Sequence, residues 1–133
     1  NTYITSGLLD VGSKKGAIDR IVSLKRDLER ILINYEPGVV GLERLFFSKN
    51  KKTAMAVAEM RGVIIGELGE ARLEIKEITP VQVKFLVTGF GAASKQAVSK
   101  MVNYFLRIST EKMIDDEVDA LAIALATSFS EGF

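Results

Sequence analysis

The fold of this chain is constrained most by a long amphipathic helix that stops at a proline and leads directly into an apolar run. Apolar residues recur at helical spacing from Ile18 to about Tyr35, and charged residues lie mainly on the opposite side. Pro37 and Gly38 end this helix, and Val39 to Leu42 form a continuous apolar run. Such a run predicts a buried strand of a parallel sheet. The order of helix, short turn and buried strand therefore favours an α/β layered fold.

The rest of the sequence continues to switch between helical and strand patterns. Residues 51 to 69 carry apolar positions at helical spacing, which predicts a second helix. Arg72 to Ile78 largely alternates and predicts a strand, and Tyr3 to Leu9 is predicted to be the first strand. Thr79 and Pro80 open a short helix, Ser94 caps a longer one, and an acidic cluster starts the last.

Length and composition limit the classes of protein and of site. A chain of 133 residues is expected to form one domain, spanning residues 1–133. Its 18 basic and 17 acidic residues give a net charge of only +1, so any affinity for nucleic acid must come from where the charges are placed. The chain has no cysteine and no histidine, which excludes disulfides, thiolate zinc sites and imidazole ligands. Metal chemistry must therefore use carboxylate oxygens, which favours Mg²⁺ or Mn²⁺.

The sequence also bears on location. No stretch of about 18 uninterrupted apolar residues is present, so we expect no membrane span. The first residues lack a basic segment followed by an apolar one, which is the pattern of a secretory signal. These features predict a cytoplasmic protein. The chain begins at Asn1 rather than Met, which suggests that residues have been removed from its front.

A cluster of acids near the end of the chain indicates a metal site. Asp115, Asp116, Glu117 and Asp119 place four carboxylates within five residues, directly before an apolar helical stretch. Asp116 and Asp119 project from the same side of a helix. Glu43 follows the predicted buried strand, where a carboxylate could complete such a site.

Each of these acids also has a simpler explanation. Acids at the start of a helix are favoured by the helix dipole, and most such patches are solvated surface. Glu43 could be the ion-pair partner of Arg44 or Arg61. Taken one at a time, the acids do not decide between a metal site and these structural roles.

Five segments, taken in order, give the chain a specific resemblance. They are Gly41–Phe47 with the basic loop Ser48–Lys52, Ala58–Val63, Pro80–Lys84, Gly89–Val98 and Asp116–Ala124. In this order, and over nearly the whole chain, they resemble the RuvC family of Holliday-junction resolvases.

The resemblance implies a fold, an activity and a set of site residues. The implied fold is RNase H-like, a mixed five-stranded sheet flanked by helices, in a homodimer that cuts four-way DNA junctions in recombination and repair. Glu43, Asp116 and Asp119 match three of the family's four catalytic carboxylates, which would hold Mg²⁺, or Mn²⁺, as two ions per site. Lys84 and Lys95 match its active-site basic residues. Branch-migration proteins are further candidate partners.

The chain departs from the family at the fourth carboxylate. In the family this aspartate lies on the first strand, beside proline and glycine, and residues 1–133 contain no match to it. The matching region begins at the family's third strand, so the fold is expected to be incomplete at its N-terminus. We expect a truncated form of an ordinary resolvase that cleaves weakly or not at all by itself.

DNA binding is predicted from local positive charge and one aromatic residue. Phe46 matches the family's aromatic residue that contacts junction DNA, although by itself it would more often be a core residue. Basic residues are expected to contact phosphates rather than bases. These are Arg44, Lys49, Lys51, Lys52, Lys84 and Lys95. Taken alone, Lys84 and Lys95 would be interpreted as solvated surface lysines.

Two alternatives to a junction endonuclease remain open at this point. One is a catalytically silent junction-binding or scaffold protein of the same fold. The other is an RNase H-like nuclease that acts on a different nucleic acid, such as an RNA:DNA hybrid.

Overall fold

The computed structural model describes residues 1–12, 16–44 and 51–130. Within them the elements run in the order α1 (Ala17–Tyr35), β1 (Val39–Glu43), α2 (Lys51–Glu70), β2 (Glu74–Ile78), α3 (Pro80–Thr88), α4 (Lys95–Leu106) and α5 (Asp115–Phe129). The chain divides into two compact units. The first contains Asn1–Leu8, Val40–Leu45 and Lys76–Phe133, and the second contains Leu9–Val39 and Phe46–Ile75. That residues 1–133 form one domain stays a prediction.

The second unit is built from α1 and α2, both of which the apolar spacing predicted. Among its described residues, Leu24 of α1 and Leu68 of α2 are the buried apolar side chains. An ion pair of 2.8 Å joins the Lys25 ammonium to the Glu67 carboxylate. The hydrogen bond between Lys25 and Glu67 is the main reason that the pKa of Lys25 is raised above its usual value. Helix α1 ends at Glu36, which adopts the left-handed conformation just before Pro37.

The core of the first unit lies between α3, α4 and α5, with β2 contributing one residue. Two of these helices begin as predicted. Thr79 and Gln82 form a reciprocal capping box at the start of α3, and the Ser94 hydroxyl accepts a hydrogen bond from the Ala97 N–H at the start of α4. The buried core residues are Ile78, Val83, Val87, Ala93, Val98, Val102, Leu121, Ala122, Leu125 and Ala126.

The strand that follows α1 is less buried than predicted. Strands β1 and β2 pair, and the Arg44 N–H donates to the Ile78 carbonyl at 2.9 Å just beyond β1. The strand Val39–Glu43 was predicted to be buried, but its ends are exposed and its centre is half-buried. In the described parts of the chain it pairs on one side only, with β2.

The predicted strand from Tyr3 to Leu9 is wrong, because residues 1–12 have no regular secondary structure. Side chains of this segment bind α5 instead. The Ser6 hydroxyl donates to the Glu117 carboxylate at 2.5 Å, and the Asn1 amide donates to the Ser128 hydroxyl at 3.3 Å. A strand needs backbone partners in a sheet, and in the described residues this segment has side-chain partners on a helix.

Strand β1 lies unusually close to α5 at Gly41. A Cβ atom at this position would overlap the Thr127 hydroxyl and would stand 3.1 Å from the Ile123 Cγ2 atom. The absence of a side chain at Gly41 therefore allows β1 to pack against this face of α5. Glu43 follows two residues later, so this contact sets its distance from α5.

In the described residues, no helix is both long and apolar enough to span a membrane.

Candidate active site

One cleft of the first unit gathers four of the five side chains predicted to be catalytic. It has a volume of about 250 Å³. Glu43, Lys84, Lys95 and Asp119 line it, although they come from β1 and three different helices. The apolar part of its wall consists of Pro80, Val83, Val98, Ala122 and Ile123.

Each charged side chain reaches the cleft through a rigid element. Glu43 is the last residue of β1, and Asp119 lies in the second turn of α5. Lys95 is the first residue of α4, directly after the Ser94 cap, and Lys84 is a half-buried residue of α3. Because the buried core holds these elements together, the charged groups are brought to one place before any ligand binds.

The charges in the cleft are partly paired. The Lys95 ammonium lies 3.5 Å from an Asp119 oxygen and 4.0 Å from an Asp115 oxygen. The Lys95 side chain is 68% exposed, and those of Asp119 and Asp115 are 53% and 88% exposed. Ion pairs this exposed contribute only about 0–1 kcal/mol. Lys95 can therefore leave Asp119 for a phosphate at little cost.

Asp116 occupies a different position from the other predicted acids. It is exposed in the first turn of α5, and it does not line the cleft that holds Glu43 and Asp119. In the part of the chain that the structure describes, no group of three or more acidic side chains is close enough to hold a metal ion. That Glu43, Asp116 and Asp119 share metal ions stays a prediction.

The donor set of the cleft nevertheless fits a hard divalent cation. Mg²⁺ commonly takes one or two carboxylates from a protein and completes its shell with water and substrate phosphate oxygens. Glu43 and Asp119 present two carboxylates to the same cleft. They would hold the ion there.

The residues predicted to bind DNA are distributed over both units. Arg44 is exposed directly after β1 in the first unit. Lys51 and Lys52 are exposed at the start of α2 in the second unit. Phe46 and Lys49 lie outside the described residues.

The sequence did not reveal what holds the first turn of α5. The hydrogen bond from Ser6 reaches Glu117, which lies between the two candidate acids of that helix. The Tyr3 hydroxyl is 2.9 Å from the Ser6 hydroxyl and extends the network. Ser6 and Glu117 are 111 positions apart, so no local pattern could have connected them.

Fold and cleft together define a class: an α/β protein in which two carboxylates and two lysines line one cleft. The family model described as crossover junction endodeoxyribonuclease RuvC matches residues 1–127. The chain belongs to the RuvC family.

Individual relatives agree with the family assignment. The chain is 41% identical over 122 residues to the RuvC crossover junction endodeoxyribonuclease of Halothermothrix orenii, covering 92% of this chain and 74% of the relative. It is 43% identical over 122 residues to that of Caldicellulosiruptor saccharolyticus, again covering 92% of this chain and 74% of the relative.

Solved structures support the fold. The structure described as T. thermophilus RuvC in complex with Holliday junction substrate superposes with a TM-score of 0.90 at 26% identity, covering 96% of this chain and 78% of that one. A second Thermus thermophilus RuvC structure gives a TM-score of 0.80 at 28% identity, covering 89% and 71%. The predicted RNase H-like α/β fold is confirmed.

Proposed function

We propose that this chain acts as a magnesium-dependent, structure-selective endonuclease that cuts four-way DNA junctions in recombination and repair. The cleft that gathers Glu43, Asp119, Lys84 and Lys95 is the observation that carries the proposal. Membership of the RuvC family supplies the substrate class. We also propose that the protein acts on such junctions in the cytoplasm.

The chemistry asks the cleft to stabilise negative charge. Hydrolysis of a phosphodiester brings a water-derived nucleophile to an anionic phosphorus and releases an alkoxide. A bound divalent ion lowers the pKa of water and offsets this charge. Glu43 and Asp119 are the proposed ligands. Asp116, one turn from Asp119, would be a further ligand or accept the proton of the attacking water.

The two lysines would act on the substrate. We propose that the Lys95 side chain moves its ammonium group from Asp119 towards the scissile phosphate or the leaving oxygen. Negative charge grows at these positions in the transition state. Lys84 would place a second positive charge at the same cleft from α3. Such groups accelerate the reaction because they already lie at the cleft when the phosphate arrives.

Binding along the DNA arms would be electrostatic. Arg44, Lys49, Lys51 and Lys52 are proposed to contact phosphates, and Phe46 to stack on an unpaired base near the crossover. Affinity that comes from phosphate contacts falls steeply as salt increases.

Metal removal and a panel of substrates test the proposal. We expect this chain to cleave a synthetic four-way junction in Mg²⁺ or in Mn²⁺, and not to cleave it in excess EDTA. Flaps and RNA:DNA hybrids should be cut more slowly than the junction. The readout is the single-turnover rate on each end-labelled substrate, and a clear preference for the hybrid would contradict the proposal.

The same assay should compare residues 1–133 with a fusion that supplies the family's first two strands ahead of Asn1. Because residues 1–133 match three of the four family carboxylates, we expect this chain to cleave at least about a hundredfold more slowly than the fusion.

A catalytically silent junction-binding protein is the second candidate. The observation in its favour is that the described residues contain no group of three acids able to hold a metal ion. This candidate predicts that junctions are retained in a gel shift but are not nicked in Mg²⁺, even by the fusion.

A homodimer would give the two symmetric cuts that a crossover requires. We propose that the face of α2 carrying Ala54, Ala58, Gly62 and Gly66 forms its interface. Gly62 and Gly66 are exposed, and an added Cβ at either would meet no atom within 4 Å. Packing against the described parts of its own chain therefore does not explain these glycines.

A leucine at Gly66 tests this interface. Gly66→Leu should leave the fold intact, because leucine favours helix and the space is open. It should weaken self-association at least about tenfold by sedimentation equilibrium, because it separates helices that small residues let approach. Unchanged association would place the interface elsewhere.

A further inference from the structure

We infer that Val81, Phe85 and Phe90 form a stacking platform for unpaired nucleobases beside the cleft, an inference that rests on the proposed function. These three side chains, called here the apolar platform, are 62%, 55% and 64% exposed. They fall within ten consecutive residues of α3 and the turn after it.

The apolar platform borders the face of α3 that lines the cleft. Pro80, Val83 and Lys84 line that cleft. At 100° per residue, Val81 lies about 60° around the helix from Lys84, and Phe85 lies about 40° beyond Val81. A nucleotide whose phosphate contacts Lys84 would therefore have the platform at the adjoining surface.

The turn after α3 holds Phe90 in a fixed place. Gly89 adopts the left-handed conformation, and its N–H donates to the Phe85 carbonyl at 2.7 Å. The Thr88 hydroxyl donates to the Lys84 carbonyl at 2.8 Å and accepts the Phe90 N–H at 3.1 Å. The Thr88 hydroxyl thus links the backbones of Lys84 and Phe90 by hydrogen bonds. Because this backbone is already ordered, binding a base there would lose little conformational entropy.

The same turn returns to the helix beside Val81. A Cβ at Gly91 would stand 3.1 Å from the Val81 Cγ1 atom. This approach brings the turn that carries Phe90 back beside Val81. The core does not need these side chains, because α3 packs inward through the buried Val83 and Val87.

The charge of the surrounding sequence favours a nucleic acid as the occupant. Residues 80 to 110 contain Lys84, Lys95, Lys100 and Arg107 and no acidic residue. Aromatic faces next to basic side chains bind single-stranded nucleotides by stacking and by phosphate contact. Where strands exchange at a crossover, bases can leave the duplex stack, and the platform would receive them.

The test uses the 133-residue chain and a four-way junction carrying 2-aminopurine next to the crossover, with Ca²⁺ in place of Mg²⁺ to prevent cleavage. The wild-type chain should change the fluorescence of the probe. Phe85→Ala and Phe90→Ala should each weaken junction binding by about tenfold and reduce that change. Binding to a blunt duplex of equal length should stay the same.

Tyr104→Ala is the matched control. Tyr104 is an aromatic residue with 74% exposure, and it lies about 180° around α4 from Lys95, away from the cleft. It should not change junction affinity or fluorescence. Thermal unfolding should be alike in all three variants, which would show that any loss is not a folding defect.

Several results would overturn the inference. Platform variants that bind junctions as the wild type does would remove it and leave the proposed function standing. An equal loss on duplex would show a general phosphate contact rather than stacking. Reduced self-association with unchanged junction affinity would assign the surface to a second copy. Failure of the wild-type chain to bind junctions would defeat the proposed function, and the inference with it.

Discussion

We expect Glu43→Gln to abolish junction cleavage while leaving junction binding intact. The amide keeps the size of the side chain but removes the negative charge that a divalent ion requires. Because Glu43 and Asp119 face the same cleft, losing either carboxylate should disrupt one shared site. We expect the single-turnover rate of the fusion carrying the family's first two strands to fall by at least about 10²–10³-fold. Gel-shift affinity should change by less than about threefold.

Glu36→Gln is the matched control for this result. Glu36 is an exposed glutamate directly after α1 that does not line the cleft, so the substitution makes the same change in net charge at a different residue. It should cleave as the wild type does. Full activity in Glu43→Gln would remove the mechanism proposed here, whatever the other variants show.

The remaining acids can be separated in the same assay. Asp119→Asn should match Glu43→Gln, because Asp119 lines the same cleft. Asp116→Asn should show whether a side chain outside that cleft takes part in the reaction. If Asp116 accepts a proton, its loss should lower the rate without raising the Mg²⁺ concentration needed for half-maximal activity. If Asp116 is a ligand, the rate should fall and the Mg²⁺ concentration needed for half-maximal activity should rise.

Gly41→Ala is expected to have the largest effect on stability. The added methyl group would overlap the Thr127 hydroxyl and press against Ile123, so β1 must move away from α5. Overpacking of this kind costs about 1–3 kcal/mol, which corresponds to a melting temperature lower by about 4–11 °C in a chain of this length. Glu43 would move with the strand, so the fusion should also cleave more slowly.

A second substitution and a control make this prediction specific. Thr127→Ala removes the overlapping hydroxyl, so it should restore part of the stability lost in Gly41→Ala, although it also removes a hydrogen bond to the Ile123 carbonyl. Gly69→Ala, in α2 where an added Cβ meets nothing, should be neutral or slightly stabilising. Equal melting temperatures for Gly41→Ala and wild type would show that β1 is not confined by α5.

The helices could be predicted because their determinants are local. The caps at Thr79 and Ser94 and the apolar spacing of α1 each act within a few residues, and the structure follows them. The proposed strand at residues 3–9 failed because alternation shows only that a segment could be a strand. Its side chains bind α5, and that partner is encoded more than a hundred positions away.

The candidate site was predictable to the extent that the resemblance fixed it. No local sequence pattern connects Glu43 with Asp119. The prediction that they share a site came from matching both residues to motifs of the same family. The cleft brings them together with Lys84 and Lys95. The ion pair between Lys95 and Asp119 was not predicted, because its geometry depends on how α4 and α5 pack. The roles of individual residues in the reaction stay predictions.

The bond between Ser6 and Glu117 has a consequence for how the protein assembles. Contacts between residues so distant along the chain require closure of a very long loop, and such contacts generally form late in folding. The turn of α5 that carries the acids therefore gains its final restraint only after Ser6 and Glu117 have met. A nascent chain that has already released Ser6 from the ribosome must wait for α5 before that turn is fully ordered.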